Sequence, residues 1–343
     1  MNRFISAIFV LLCLYSIGCD KEQLIFDEIL FNTTEHILSD YFVKAIDFDS
    51  EGNAWIGTFK QGLIKYDGVS ATVFNSKNSN LPDSLVIWDL KVDHDDNIWL
   101  GTNGLIKFDG VSFEVYNTSN SPILEDIVWS IGIDKHNVLW LASCRFREGG
   151  LMSFDGKNWK SYIPENSPLP YNSILDIVLD NNNNIWLAMS ETVGGACLVK
   201  IENGYWTIFT DSDLGFQPYY FGDIAVGRNN VIVLSIDYSL SSSWDIARPN
   251  IILFDGKKCI INNPVDEQGN SLGYVGVMNT DSKGNIWVSM SPGYAKIAVY
   301  NGQKWYYDGY QDISFEGVFA IENDPLDQIW IGTGKGIYII EQN

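Results

Sequence analysis

The chain predicts an all-β fold, a ring of seven four-stranded blades with the last blade closed by the N-terminal strand. Three observations carry that prediction. First, a segment built on Asn-Ile-Trp-Ile-Gly-Thr or a relative of it recurs around Trp55, Trp99, Trp140, Trp186, Val233, Trp287 and Trp330. A repeat of roughly 40–50 residues marks a propeller blade or another repeat array. Second, Asp-Gly or Asn-Gly pairs separate β-type runs at Asp67-Gly68, Asp109-Gly110, Asp155-Gly156, Asn203-Gly204, Asp255-Gly256 and Asn301-Gly302. These are hairpin residues, because both central positions of the tightest turn need positive φ. Third, the repeat from Val318 holds only three strand-like runs, and the missing fourth lies at the other end of the chain. There Glu28-Ile29-Leu30-Phe31-Asn32-Thr33 matches Thr72-Val73-Phe74-Asn75-Ser76 and Phe113-Glu114-Val115-Tyr116-Asn117-Thr118. Such closure leaves no open sheet edge.

Each repeat divides into the same elements. In the first, Val43 to Phe48 is strand a, Asp49 to Gly52 a turn, Ala54 to Thr58 strand b, Gly62 to Tyr66 strand c and Ala71 to Asn75 strand d. Later repeats start near residues 85, 127, 174, 221, 274 and 318. Three residues before each anchor stand Gly52, Asp96, Asn137, Asn183, Asn230, Gly284 and Asp327, the types that best tolerate left-handed backbone. Six residues before each anchor stands Asp, except Gly227 in the fifth repeat. An Asp that opens a type I turn closing on a left-handed residue accounts for both columns, and Pro325 suits the second turn position. The rival reading of Asp47 to Gly52 as a calcium loop lacks the length and terminal glutamate of a helix–loop–helix site. The b strands, such as Ile98-Trp99-Leu100 and Ile329-Trp330-Ile331, are apolar on both faces, as sheets sandwiched between neighbours require. The Trp column is therefore blade-to-blade packing and not a row of sugar-stacking rings.

The N-terminus sets the expected address. Arg3 precedes an apolar run from Phe4 to Leu14, too short to span a bilayer and typical of a signal peptide over residues 1–18. Ser16-Ile17-Gly18-Cys19 resembles the lipobox of bacterial lipoproteins, with Ser16 in place of the usual Leu. That resemblance implies cleavage before Cys19, a lipidated linker over residues 19–25 and a propeller over 26–343. Acyl chains on Cys19 would hold the protein on a membrane, each buried methylene contributing about 0.8 kcal/mol. Ordinary secretion, with Cys19 a bystander, is the alternative. Asp20-Lys21-Glu22 is similar to the surface-export signal of Bacteroidetes lipoproteins. The expected location is the cell envelope, as an outer-membrane lipoprotein facing either the periplasm or the exterior.

Charge and cysteine content exclude several function classes. A net charge of −21 repels nucleic acid and anionic lipid. Cys144, Cys197 and Cys259 fall at unrelated points of their repeats, which is neither a disulfide framework nor a zinc spacing. Beyond the signal peptide no apolar run is long enough to span a membrane.

The pattern Asp49-Ser50-Glu51-Gly52-Asn53-Ala54-Trp55-Ile56-Gly57-Thr58, continued by Gly62-Leu63-Ile64-Lys65-Tyr66-Asp67-Gly68, resembles the two-component regulator propeller repeat, as does Asn97-Ile98-Trp99-Leu100-Gly101-Thr102-Asn103-Gly104-Leu105. The resemblance extends over residues 26–343, strong in repeats 1, 2, 6 and 7, weaker in 3 and 4 and faint in 5. It implies a ligand-sensing propeller of the kind found outside the membrane in hybrid histidine kinases, many of which respond to oligosaccharides. The chain carries no kinase or receiver segment, so only the ligand- or partner-binding half of the resemblance is expected to carry over.

Loop length points to the binding face. The a–b and c–d turns are short and share one face, while the b–c and d–a connections on the other face hold all the length variation, which is where function normally resides. Trp88 and Trp129 stand where strand a begins, and Phe146, Tyr219, Tyr220, Trp244, Tyr294 and Tyr310 lie in these loops. Such aromatics with interspersed Asn and Asp suit an oligosaccharide or a peptide, or an envelope protein as partner, although long loops also need aromatics for their own small cores. Four residues before the turn residues Asp93, Asp180 and Gly227, strand a carries Asp89, Asp176 and Asp223. No cofactor is expected, and Ca²⁺ is the ion that three channel carboxylates would suit; the alternative is that each binds neighbouring backbone amides. A lyase or hydrolase centred on the channel is the rival function. It would lack a channel histidine, since His94 and His136 fall in a–b turns, and would rest on an acid pair such as Asp176 with Asp223.

Overall fold

A computed structural model of the chain describes residues 31–143, 149–190, 195–215, 220–236, 250–265, 269, 271–291, 296–307 and 317–342. They form seven four-stranded antiparallel sheets, and the all-β ring is as the repeats predict. Strand a of each blade is innermost: Val43–Phe48, Asp89–Val92, Ser130–Ile133, Ile174–Leu179, Phe221–Val226, Tyr274–Thr280 and Val318–Asn323. In the seventh sheet the outermost strand is Phe31–Ile37, paired with Gly336–Gln342. The N-terminal strand thus closes the ring, but in a different register from the sequence match. Ile37 pairs with Ile337 as Phe74 pairs with Leu63, so Ile37, and not Phe31, occupies the inward slot of a fourth strand. The reason is packing: Ile37, Leu38 and Tyr41 all press on the core between the seventh and first blades. His36 stacks on Tyr338 at 4.1 Å and bonds the Lys335 carbonyl at 2.7 Å.

The turn columns have a common cause. Gly52, Asp96, Asn137, Asn183, Asn230, Gly284 and Asp327 all adopt positive φ. In the second blade Asp93 accepts from the backbone N–H of Asp95 and Asn97, from the Asn97 amide and from the indole N–H of Trp99 at 2.8 Å. The same Asp-to-indole bond recurs from Trp55 to Asp49, Trp140 to Asp134, Trp186 to Asp180, Trp287 to Asp281 and Trp330 to Asp324, at 2.9–3.2 Å. A buried indole needs an acceptor, and the turn carboxylate supplies it. The fifth blade has Gly227 for the Asp and Val233 for the Trp: donor and acceptor are lost together.

A second set of bonds ties the turns of the first four blades to the next blade. Asp96 accepts from the backbone N–H of Ser50, Asn137 from His94, Asn183 from Lys135 and Asn230 from Asn181, at 2.7–3.1 Å. Where the donor position is Pro325, which has no N–H, the next blade offers only Gly52. At Gly284 the Arg228 side chain fills the space a Cβ would need, donating to the Lys283 carbonyl at 2.6 Å and the Asn285 amide oxygen at 3.0 Å.

The hydrophobic core is divided into seven clusters, one per blade interface. Trp55 packs with Leu90, Ile98 and Phe108 of the second blade, and Trp287 with Ile321, Ile331 and Ile340 of the seventh. Every anchor faces the following blade in this way, as expected of blade-to-blade packing. The inner strands are left to line a channel.

Candidate functional site: the channel mouth

The seven a strands enclose a channel whose upper part, on the long-loop side, holds about 760 Å³, and whose lower part, near His94 and Asn181 of the a–b turns, holds about 460 Å³. At the upper mouth the pairing of strands a and b skips at Lys44, Leu175 and Phe319, and across Gly222 and Gly276. Such bulges break the ladder and re-aim a side chain, often beside a functional site. In the second and third blades Trp88 and Trp129 immediately precede strand a, their N–H groups on the Gly101 and Ala142 carbonyls at 2.8 and 3.0 Å. The mouth is therefore ringed, one residue per blade, by Lys44, Trp88, Trp129, Leu175, Gly222, Gly276 and Phe319, all of which line the cavity.

This ring is lopsided. Trp88 and Trp129 pack at 4.6 Å with planes 42° apart, and Trp129 remains 37 % exposed. The Lys44 ammonium lies 4.5 Å from the Phe319 ring centre and 5.6 Å from that of Trp88, and Phe42 backs Phe319 at 4.6 Å. Aromatic and cationic side chains from four consecutive blades thus form one wall. Across the channel, the fifth and sixth blades contribute Gly222 and Gly276, which add no side chain to the ring. The wall also carries a buried donor without an acceptor among the described residues, the Trp88 indole N–H, and burial lowers the pKa of Lys44.

Of the sequence-predicted aromatics, the fold brings Trp88 and Trp129 together. Tyr220 is half-buried just before strand a of the fifth blade. Phe146, Tyr219, Trp244, Tyr294 and Tyr310 lie outside the described residues, as do Cys19 and Cys144. Lys44, Phe319, Gly222 and Gly276 were not anticipated. Their signal is positional: all stand five residues before the turn residue of their repeat.

Asp89, Asp176 and Asp223 line the upper channel. Each accepts the N–H of the residue that follows it and reaches across to the inner strand of the next blade. Asp89 takes the N–H of Ile131 at 2.7 Å, Asp176 that of Ile224 at 3.4 Å and Asp223 that of Met278 at 2.8 Å. One layer down, Asp47 takes the N–H of Val92 at 2.7 Å. The inner edge of every blade presents unpaired backbone donors, and these carboxylates satisfy them. Among the described residues no group of three or more His, Cys, Asp or Glu is disposed to hold a metal ion, so the three acids do not converge as a Ca²⁺ site would require.

Burial raises Asp47, Asp89, Asp223 and Glu322. Asp89 is pushed up to about 6, and Glu322 to about 7 despite the opposing charge of Lys91 at 3.3 Å. Asp47 is also raised by burial. Asp223 is held well above the carboxylate range by burial and by a hydrogen bond with Asp176. Cys197 is buried, its thiol pushed up to about 12, and Cys259 is half-buried and raised to about 11; neither is a reactive thiolate at neutral pH.

Residues 80–104 and 168–191 match the family model of the two component regulator propeller. No curated protein matches the chain in sequence. Among solved structures, the extracellular domain of a hybrid two component system protein from B. thetaiotaomicron is 18 % identical with TM-score 0.66, over 88 % of this chain and 40 % of that one. Virginiamycin B lyase from Staphylococcus aureus, solved in an inactive form with quinupristin, is 13 % identical with TM-score 0.67, over 91 % of this chain and 99 % of that one. PorZ, a surface component of the type-IX secretion system of Porphyromonas gingivalis, is 16 % identical with TM-score 0.66, over 88 % and 46 %. The chain spans about two-fifths of the sensor domain and under half of PorZ. At these identities the likeness is one of fold. The chain is a seven-bladed propeller with two segments that match the two component regulator propeller model, and it is similar in fold to the extracellular domains of hybrid two component systems.

Proposed function

We propose that the protein is a binding module of the cell envelope that takes a glycan in the long-loop mouth of its channel. The observation that carries this is the lopsided ring, in which a Trp88–Trp129 wall faces two glycines across about 760 Å³. Ring faces stack on sugars, and the glycines admit a chain of them from the open side. The sensor domains and PorZ, which are similar in fold, come from extracellular or surface proteins. A peptide or partner protein is the next occupant to consider.

The test is a glycan array with the purified protein, followed by calorimetry on the hits. Truncating an anchor at the centre of an interface costs 2 kcal/mol or more, so Trp129→Ala should weaken binding about 30-fold. Binding that survives both Trp88→Ala and Trp129→Ala would move the site elsewhere.

The second reading, a channel-centred lyase or hydrolase, is favoured by the match to nearly the whole length of the lyase. Against it, no histidine lines the upper channel among the described residues, and Asp89, Asp176 and Asp223 are each engaged with backbone donors. Product formed from a bound ligand by the wild type but not by Asp176→Asn or Asp223→Asn would establish it.

The envelope address rests on Cys19 and the segment before it. Labelled fatty acid should be incorporated by cells making the wild type and not by those making Cys19→Ser; equal labelling would refute the anchor.

A further inference from the structure

The lopsided ring contains one charged side chain, Lys44, in an unusual setting. The chain has 43 acidic and 22 basic side chains, so carboxylate partners are abundant. The other channel lysine, Lys91, has Glu322 at 3.3 Å. Lys44 forms no ion pair or hydrogen bond with any described residue, and its ammonium rests against the faces of Phe319 and Trp88. The β-bulge at Val43/Ala45 places it there. Beside it is a second donor unmatched among the described residues, the buried Trp88 indole N–H. Of the acids that line the same cavity, Asp89 and Asp176 have their oxygens on backbone and Ser130 donors.

We propose that Lys44 and Trp88 form a recognition point for a ligand carboxylate, and that the glycan taken at this mouth is an acidic one whose sugars carry uronate groups. The inference rests on the glycan-binding reading. The carboxylate would meet an ammonium already partly stripped of water by two aromatic faces, where a charge-assisted bond is stronger than at an exposed surface. The sugar ring bearing it would lie along Trp129, the exposed member of the wall. Asp89, Asp176 and Asp223 direct their oxygens to inter-blade backbone donors, and burial raises Asp89 to about 6, which lessens the repulsion an anion would meet.

Tetrasaccharides of galacturonate, glucuronate and mannuronate, each beside its carboxyl-reduced neutral counterpart, test this by calorimetry at low and moderate salt. At least one uronate should bind at least tenfold more tightly than its reduced form, and the preference should shrink with salt. Lys44→Met, which keeps the aliphatic stem over the rings, should remove the preference while leaving affinity for the neutral form; Lys44→Arg should retain it. Equal binding of acidic and reduced forms, or a preference unchanged in a folded Lys44→Met, overturns the proposal and leaves the glycan reading standing. No binding of any glycan, or binding only of peptides ending in a free carboxylate, overturns both.

Discussion

Replacing Asp93 by Ala is expected to cost about 3 kcal/mol or more of stability, because several donors lose their acceptor at once. The Asp93 carboxylate, 6 % exposed, takes two backbone N–H groups, the Asn97 amide and the Trp99 indole. Each buried donor left unsatisfied costs about 1–3 kcal/mol. Trp99→Val alone should also cost several kcal/mol, through the cavity left in the core between the second and third blades. The double variant should be less damaging than the two single losses combined, by at least about 1 kcal/mol, since residues sharing one bond are not additive. The fifth blade, with Gly227 and Val233 together, shows that the fold accommodates the joint loss. Chemical denaturation of the four proteins checks this; additive losses would show that the indole–carboxylate bond has no role in stability.

The second large effect is on pH. Asp89 and Glu322 have folded pKa values of about 6 and about 7, above their ordinary 3.8 and 4.5, and Asp47 and Asp223 are raised as well. Between the unfolded and folded values the native state binds more protons than the unfolded one, so stability falls as pH rises through that window. Lys91 faces these groups as a cation throughout, held above its ordinary value by Glu322, Asp47 and Asp89 in spite of burial. The turn acids act in the opposite sense. Asp49 and Asp180 are lowered by their Asn and Trp donors in spite of burial, and Asp67 and Asp109 by backbone N–H groups, so their contribution is lost as pH falls below about 4. Stability should therefore peak near pH 5 and be lower by about 2 kcal/mol or more at pH 8, where self-repulsion at net charge −21 acts in the same direction. Melting curves from pH 4 to 8 measure it, and Glu322→Gln should flatten the alkaline side. A melting temperature that climbs steadily to pH 8 would contradict the assignment.

The fold was legible because its signals are local. A left-handed turn residue, an Asp-Gly hairpin and a doubly apolar strand each have a cause within a few residues, repeated often enough to count blades. Closure was legible in kind and not in register. Phe31-Asn32-Thr33 imitates the end of a fourth strand, whereas the pairing is decided by Ile37 meeting Ile337, a contact across the whole ring. The Asp and Trp columns were visible separately, and their joint absence from the fifth repeat was the clue that they bond. Trp88 and Trp129 stood out as aromatics at strand entries. Their neighbours did not, because Lys44, Leu175, Gly222, Gly276 and Phe319 share no chemistry. Only the bulged backbone makes one ring of them.

The most direct test of that ring is to fill its open side without touching the aromatic wall. Gly222 is exposed at the channel mouth, and Gly222→Trp would place a bulky side chain opposite Trp129. The measurement is glycan binding by this variant beside the wild type, with melting temperature as the control. The binding account predicts an unchanged melting temperature and loss of binding to the glycans the wild type takes. Undiminished binding by the variant would contradict it and place the ligand outside the channel mouth.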